Sequence, residues 1–254
     1  MPQLTPEQLR DRFEEKFKVG SLTASQRNKL NKFKPELEDD LEQEFIHVPV
    51  LATTNLLHLS NMAWKEQELK IISRTYPGQP FTLNHSSNAK DIFSIVYDSE
   101  LLHYENPSDK LVNTLLKGVG NHERKYSKEI VQEDGLFILM AFGAVTSPSV
   151  EAEKIQDRTF NKVSTHVASS INKQFEAYCG KHQCPVSECG CILNTPFIMT
   201  YWYRYMDDEE KDKLTPYYYF RNATTASELS VVWNGDNPAA EILSSEKAEL
   251  LLNG

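Results

Sequence analysis

Three groups of side chains in this chain have the type and placement for chemistry. His85 closes the short apolar run FTLNH and precedes the polar turn SSNAK. A strand end beside such a turn is where a scaffold can hold an imidazole at the edge of a cleft. Glu228 lies in the run SELSVVW, whose alternation puts Glu228, Ser230 and Val232 on one face. A carboxylate there could orient an imidazole. Each residue also has a plain reading, as one strand-end histidine among seven and as a solvated glutamate. Cys179, Cys184, Cys189 and Cys191 fall within thirteen residues, with His182 among them as a spare ligand. These are enough soft ligands for a tetrahedral, structural zinc. The spacing contains no C-x-x-C knuckle, so unliganded thiols are the alternative.

The elements that must position these groups follow from periodicity. The first forty-odd residues carry two charge-rich helical patterns, TPEQLRDRFEEKF and SQRNKLNKFKPELEDDLEQEF. The first opens on a capping box, Thr5 with Gln8, and has Pro6 at the first helical position. Pro35 should break or kink the second. Sequence leaves open whether this segment docks or stands off as a solvated arm. From EFIHVPVLAT onward the runs FTLNH, IFSIVYDSELL, GLFILMAFGAV, TPFIMTYWYRYM, PYYYF and SELSVVW read as strands. WKEQELKIISRTY, PSDKLVNTLLKGV and STHVASSINKQFEAYC read as helices between them, and SSEKAELLLNG as a last short helix. The implied division is a helical segment over 1–45, a main domain over 46–243 with a Cys-rich insertion near 176–195, and a tail over 244–254. Within ILMAFGAV, residues 138–145, the small Ala141 and Gly143 leave a notch in an otherwise bulky strand.

Composition narrows the classes. With 254 residues, 40% of them hydrophobic, the chain can bury a sizeable core. A formal charge of −9 and a pI near 5.3 argue against a general nucleic-acid binder, which carries a basic field. No stretch of eighteen apolar residues occurs, and the first residues are already charged, so neither a membrane span nor a secretory signal is expected. Clustered cysteines suit a reduced, cytoplasmic setting better than a disulfide framework.

Three segments together resemble the prohead maturation proteases of tailed bacteriophages, serine proteases related in fold to the herpesvirus assemblins. They are LNH before the strand IFSIVYDSELL, the triplet AFG, and ELSVVWNGDNPAAEI, which is similar to that family's terminal pattern of Glu, Ser and Val at alternate positions followed by Asn-Pro-Ala-Ala. The resemblance runs from about residue 76 to 242. It implies an α+β fold, an assemblin-like antiparallel β-barrel core surrounded by helices. It also implies a serine endopeptidase that cleaves the major capsid protein and scaffold or core proteins, and that self-associates, inside an immature phage head in the host cytoplasm. By position His85 would be the general base and Glu228 its orienting group, with no cofactor needed for catalysis. The family's Ser-x-Gly triplet falls on Ala141, Phe142 and Gly143, so alanine occupies the nucleophile position and the chain as written is expected to be inactive. Amides near Phe142 and Gly143 would serve oxyanion and substrate. Ala141 is either an engineered replacement or the mark of a natural, non-catalytic capsid-core protein. A shifted register would instead offer Ser147 or Ser149, in the turn-like TSPS.

Overall fold

A computed structural model of the protein describes residues 5–34, 44–86, 88–169, 175–179, 182, 184–185, 188–189, 205–207, 209, 217–233 and 235–254. The strand reading TPFIMTYWYRYM and Cys191 lie almost wholly or wholly outside them, as does Pro35. In chain order the elements are α1 (Pro6–Phe13), β1 (Gly20–Ser21), α2 (Ala24–Asn31), β2 (Glu44–Thr54), β3 (Met62–Ala63), α3 (Glu66–Thr75) and β4 (Pro80–Leu83). Then come β5 (Ile92–Tyr104), α4 (Asp109–Leu115), α5 (Asn121–Asp134), β6 (Leu136–Ser147), α6 (Val150–Gln156), β7 (Val163–Ala168), β8 (Phe175–Cys179) and β9 (Cys184–Pro185). The chain ends on β10 (Tyr217–Arg221), β11 (Thr225–Val231), β12 (Glu241–Ile242) and α7 (Ser245–Asn253). The fold is α+β.

The main sheet runs β1-β2-β6-β5-β4-β11-β7, with β12 added beside β2. It is mostly antiparallel, with β4 and β11 parallel. Curvature brings its far edge round, and the Thr165 hydroxyl on β7 donates to the Ala52 carbonyl on β2 at 2.9 Å. No ladder joins β7 to β2, so the expected closed barrel is not formed. Where a barrel would need a ladder, the gap is spanned by this bond and by β12, which pairs with β2 and forms an isolated bridge, Lys162 with Glu241, at the start of β7. The second sheet runs β3-β10-β8-β9.

Alternation along β6 divides the core. Ala141, Val145 and Leu139 face inward, with Val50, Phe81, Leu229, Val231 and Val163, and with Leu69, Ile72 and Tyr76 at the end of α3. Ile138, Met140 and Phe142 face outward against Leu9, Phe13 and Phe17, Leu30, and Leu251 of α7. These apolar positions, not helix propensity, dock the N-terminal helices, and Arg10 pairs with Glu249 of α7 at 2.8 Å. The segment is therefore a packed part of the fold. Its predicted capping box is present, and a second, Thr23 with Gln26, starts α2.

One element differs in kind. STHVASSINKQFEAYC, expected as a helix, holds strands β7 and β8. Val167, Ile171, Phe175 and Tyr178 recur at helical spacing. The sheet instead uses the shorter alternation Val163, Thr165, Val167, whose β-branched side chains line the inner face opposite Val231 and Leu229.

Candidate active site

Strands β4, β11 and β7 carry the site on their outer face. The register pairs Ser230 with Thr82 on one side and with Ser164 on the other, and Glu228 with His166. Directly paired residues share a face, so Thr82, Ser230, Glu228, Ser164 and His166 form one polar surface. Inner-face neighbours Phe81, Leu229 and Val163 are core. On β6 this outer face is apolar and covered by α1; β5 adds Leu102 and Tyr104 beside Asp98 and Glu100, whose carboxylates pair with Lys29 of α2 and with Arg12 and Lys16; on β11 and β7 the face is polar.

Two departures from regular backbone bring His85 onto this surface. Asn84 and His85 both take left-handed conformations, φ 49° and 56°, which fold the chain back after β4. Such a pair of non-glycine residues costs energy and is characteristic of functional sites. The Ser230 hydroxyl accepts the His85 amide at 3.1 Å and also bonds Thr82, which locks the turn. A bulge between Ala226 and Glu228 in the pairing with β7 then turns Glu228 toward it. His85 Nδ1 bonds the Glu228 carboxylate, whose same oxygen accepts from Ser230 Oγ at 3.1 Å. Glu228 is mostly buried, its side chain 14% exposed, and that of His85 is 40% exposed. With Nδ1 engaged as donor to a carboxylate, the other ring nitrogen, Nε2, is the basic one, so a residue at this place could take a proton. The His166 ring lies edge-on to His85, centroids 6.1 Å apart, and its Nδ1 is bonded to Ser227 at 2.7 Å.

His85 lines a cleft of about 190 Å³ over the gap between β7 and β2, with Ser164, Thr165, His166, Trp64 and Arg221 among its walls. The floor includes a second histidine cluster. His58 Nε2 lies 3.2 Å from both Thr53 Oγ1 and Asn237 Nδ2, and its Nδ1 is 3.5 Å from Asp236. Arg221 stacks on Trp64 and is pulled below the usual arginine value by burial, with Asp236 opposing. Trp64 is 3% exposed, and its Nε1 donor has no partner among the described residues.

The other expected site residues lie elsewhere. Ala141 is fully buried in the inner cluster, opposite Val50 and Ser99, on the face that points away from Glu228. Its register adds distance as well. Phe81 is level, through Ser94, with Val145; Ala141 lies four residues back along β6, while His85 lies beyond Phe81 in the other direction. At about 3.3 Å per residue, Ala141 is about 13 Å from the level of Phe81 before the turn to His85 is counted. The notch is also occupied. A Cβ on Gly143 would stand 3.0 Å from Phe81 Cδ1, so the ring fills the space in front of it. Phe142 faces the opposite way, stacked on His47 at 5.6 Å. His85 and Glu228 thus meet, and Ala141, Phe142 and Gly143 do not join them. Ser147 ends β6 and Ser149 caps α6, its hydroxyl accepting the Ala152 amide at 3.0 Å.

At the end of the second sheet, Cys179, His182 and Cys189 place their ligand atoms within 4.8 Å of one another. His182 Nδ1 is 3.1 Å from Cys189 Sγ and 3.7 Å from Cys179 Sγ. Cys184 pairs with Cys179 across β8 and β9, and its thiol is pushed up by desolvation and then by its hydrogen bond with Cys189. The four groups form a Cys–His–Cys cluster with a further thiol beside it, and the three described cysteines carry no disulfide. Among the described residues no helix is long and apolar enough to cross a membrane. Compared with protein-family models, curated proteins and solved structures, the chain shows no significant match to any of them.

Proposed function

We propose that this chain is a peptidase of the prohead maturation type, acting on scaffold and capsid proteins during assembly of a phage head; the inactivity expected from alanine at 141 does not carry over, because Ala141 is buried on the face away from His85 and Glu228. One observation carries the reading: an imidazole bonded through Nδ1 to a mostly buried carboxylate, at the mouth of a cleft. That is the arrangement a general base needs, since the carboxylate fixes the tautomer and stabilises the imidazolium once a proton is taken. The sequence resemblance assigns these two residues the same roles, and it adds the substrate class. Cys179, Cys184, Cys189 and His182 would hold a structural zinc, because two or three thiolates with one imidazole are a zinc donor set.

The test is cleavage of a co-expressed capsid or scaffold protein, together with self-cleavage, by the full chain and by its His85→Ala variant. Cleavage by the full chain that disappears in the variant supports the reading. Cleavage that survives the loss of His85, or no cleavage by either protein, removes it and leaves a non-catalytic capsid-core protein.

A further inference from the structure

The dyad lacks only a nucleophile, and Ala141 sits on the wrong face to mark its place. We infer that Ser164 on β7 is the nucleophile and that His85 is its base, an inference that rests on the peptidase reading.

Three observations converge on Ser164. It pairs directly with Ser230, whose hydroxyl is bonded to the His85 amide and to the Glu228 carboxylate, so Ser164 stands one strand from the hub of the dyad. Directly opposed residues have Cβ atoms about 5 Å apart, within reach of an imidazole lying over the same surface. His85 does lie there, since its ring packs on His166, two residues along the same face of β7. Ser164 and His85 also line the same cleft, where Ser164 is the only serine among the described residues. Finally, the Ser164 hydroxyl is only half-buried and has no hydrogen-bond partner among the described residues, unlike Ser60, Ser86, Ser94, Ser99 and Ser127. A serine held by the sheet with its hydroxyl unengaged and open to a cleft is poised to donate to an incoming base nitrogen.

The chemistry balances without a cofactor. As Ser164 Oγ bonds to the peptide carbonyl carbon, its proton passes to His85 Nε2. The C–N bond then breaks, and that proton goes to the departing amine. Water next attacks the acyl ester, giving one proton to His85 and thence to the Ser164 oxygen, and the carboxylic acid leaves. The Glu228 carboxylate, bonded to His85 Nδ1, balances the transient imidazolium.

The experiment treats the folded full chain with a fluorophosphonate probe and locates the adduct by peptide mass spectrometry. The expected result is a single adduct on the peptide containing Ser164, absent from His85→Ala and from Ser164→Ala, and kept in Ala141→Ser. Capsid-protein cleavage by Ser164→Ala should fall about a thousandfold or more with thermal stability unchanged. Ser164→Cys supplies a second readout: its thiol should alkylate with iodoacetamide faster than the same thiol in a chain that also carries His85→Ala. An adduct on another serine, or cleavage that requires His85 yet persists in Ser164→Ala, overturns the assignment and leaves the peptidase reading in place. No adduct and no cleavage overturns both.

Discussion

Gly143→Ala separates the two accounts of the notch in β6. A Cβ at 143 would sit 3.0 Å from Phe81 Cδ1, 3.3 Å from Cε1 and 3.5 Å from Ser94 Oγ. Carbon atoms pack best at about 3.5–4.0 Å, so the ring must retreat by about half an ångström. It has little room. Phe81 is fully buried, its centroid is 4.9 Å from that of Phe93, and its backbone is fixed between β5 and β11. Overpacking of this kind costs about 1–3 kcal/mol, offset by about 0.4–1 kcal/mol from the stiffer unfolded chain. The net loss of about 0.5–2 kcal/mol lowers Tm by about 1–8 °C at the ~2–4 °C per kcal/mol of a domain this size. Thermal unfolding followed by circular dichroism measures it, and Phe81→Leu should relieve most of the loss. Were Gly143 the floor of a substrate groove, the pattern would invert, with stability unmoved and cleavage impaired. An unchanged or raised Tm, or an equal loss in the Phe81→Leu background, refutes the packing account.

Glu228→Gln keeps a hydrogen-bonding group beside His85 but removes its charge. A bond to a charged partner is worth about 1.5–3 kcal/mol, so cleavage should fall about tenfold to a hundredfold, measured as initial rate on one capsid substrate. Purified, reduced protein should carry one zinc by elemental analysis, and Cys179→Ser or Cys189→Ser should abolish it; full retention in both variants argues against the cluster as the ligand set. His47 is buried, with Nδ1 accepting from Tyr97 at 2.6 Å and Nε2 donating to the Lys16 carbonyl at 2.7 Å. Burial holds it below its ordinary value of 6.5. On acidification the unfolded chain therefore takes up this proton first, so the stability His47 contributes is intact above about pH 6.5 and drains away below it. His47→Gln, which can make both bonds, should flatten the fall in urea midpoint between pH 7 and 5, and an unchanged slope would assign that fall to other groups.

Much of this architecture was legible along the chain, and the gaps have physical causes. β2, β5, β6, β10 and β11 fall where β-branched and aromatic runs put them, because in each the local pattern and the sheet ask for the same residues. α5 went unread: NHERKYSKEIVQED buries Tyr126, Ile130, His122 and even Glu123, so its inward face is too polar to announce itself. His85 and Glu228 were each weak signals alone, and only the resemblance joined them. Ser164 was hidden by the helical spacing of Val167, Ile171, Phe175 and Tyr178. A strand read as a helix loses its parity, and parity is what puts Ser164 opposite Ser230.

That parity also explains why the outer face, and not the notch, carries the polar network. Inner-face residues of β6, β4, β11 and β7 mostly join one apolar cluster in which Ala141 and Phe81 are fully buried, so a charge there, or a hydroxyl with no carbonyl to meet as Thr165 meets that of Ala52, would be desolvated without return. The outer face is free of that demand from β4 to β7, where among the described residues no helix docks through the apolar cluster. Polar residues can accumulate there only if they satisfy one another, and they do: Thr82 with Ser230, Ser230 with Glu228, Glu228 with His85. The strained backbone at Asn84 and His85, at roughly 1–3 kcal/mol for each such residue, is tolerable because the Ser230 hydroxyl and a fully buried Phe81 hold the chain on either side of it. If strain and network are coupled in this way, Ser230→Ala should do more than delete a hydroxyl. It should free the turn, let the imidazole leave the carboxylate, and depress cleavage as far as Glu228→Gln does, with a smaller loss of global stability than the roughly 2–5 kcal/mol of a large core truncation. Nuclear magnetic resonance of the His85 ring reads the release directly: a ring signal still coupled to the carboxylate in Ser230→Ala would show that the turn stands without its hub.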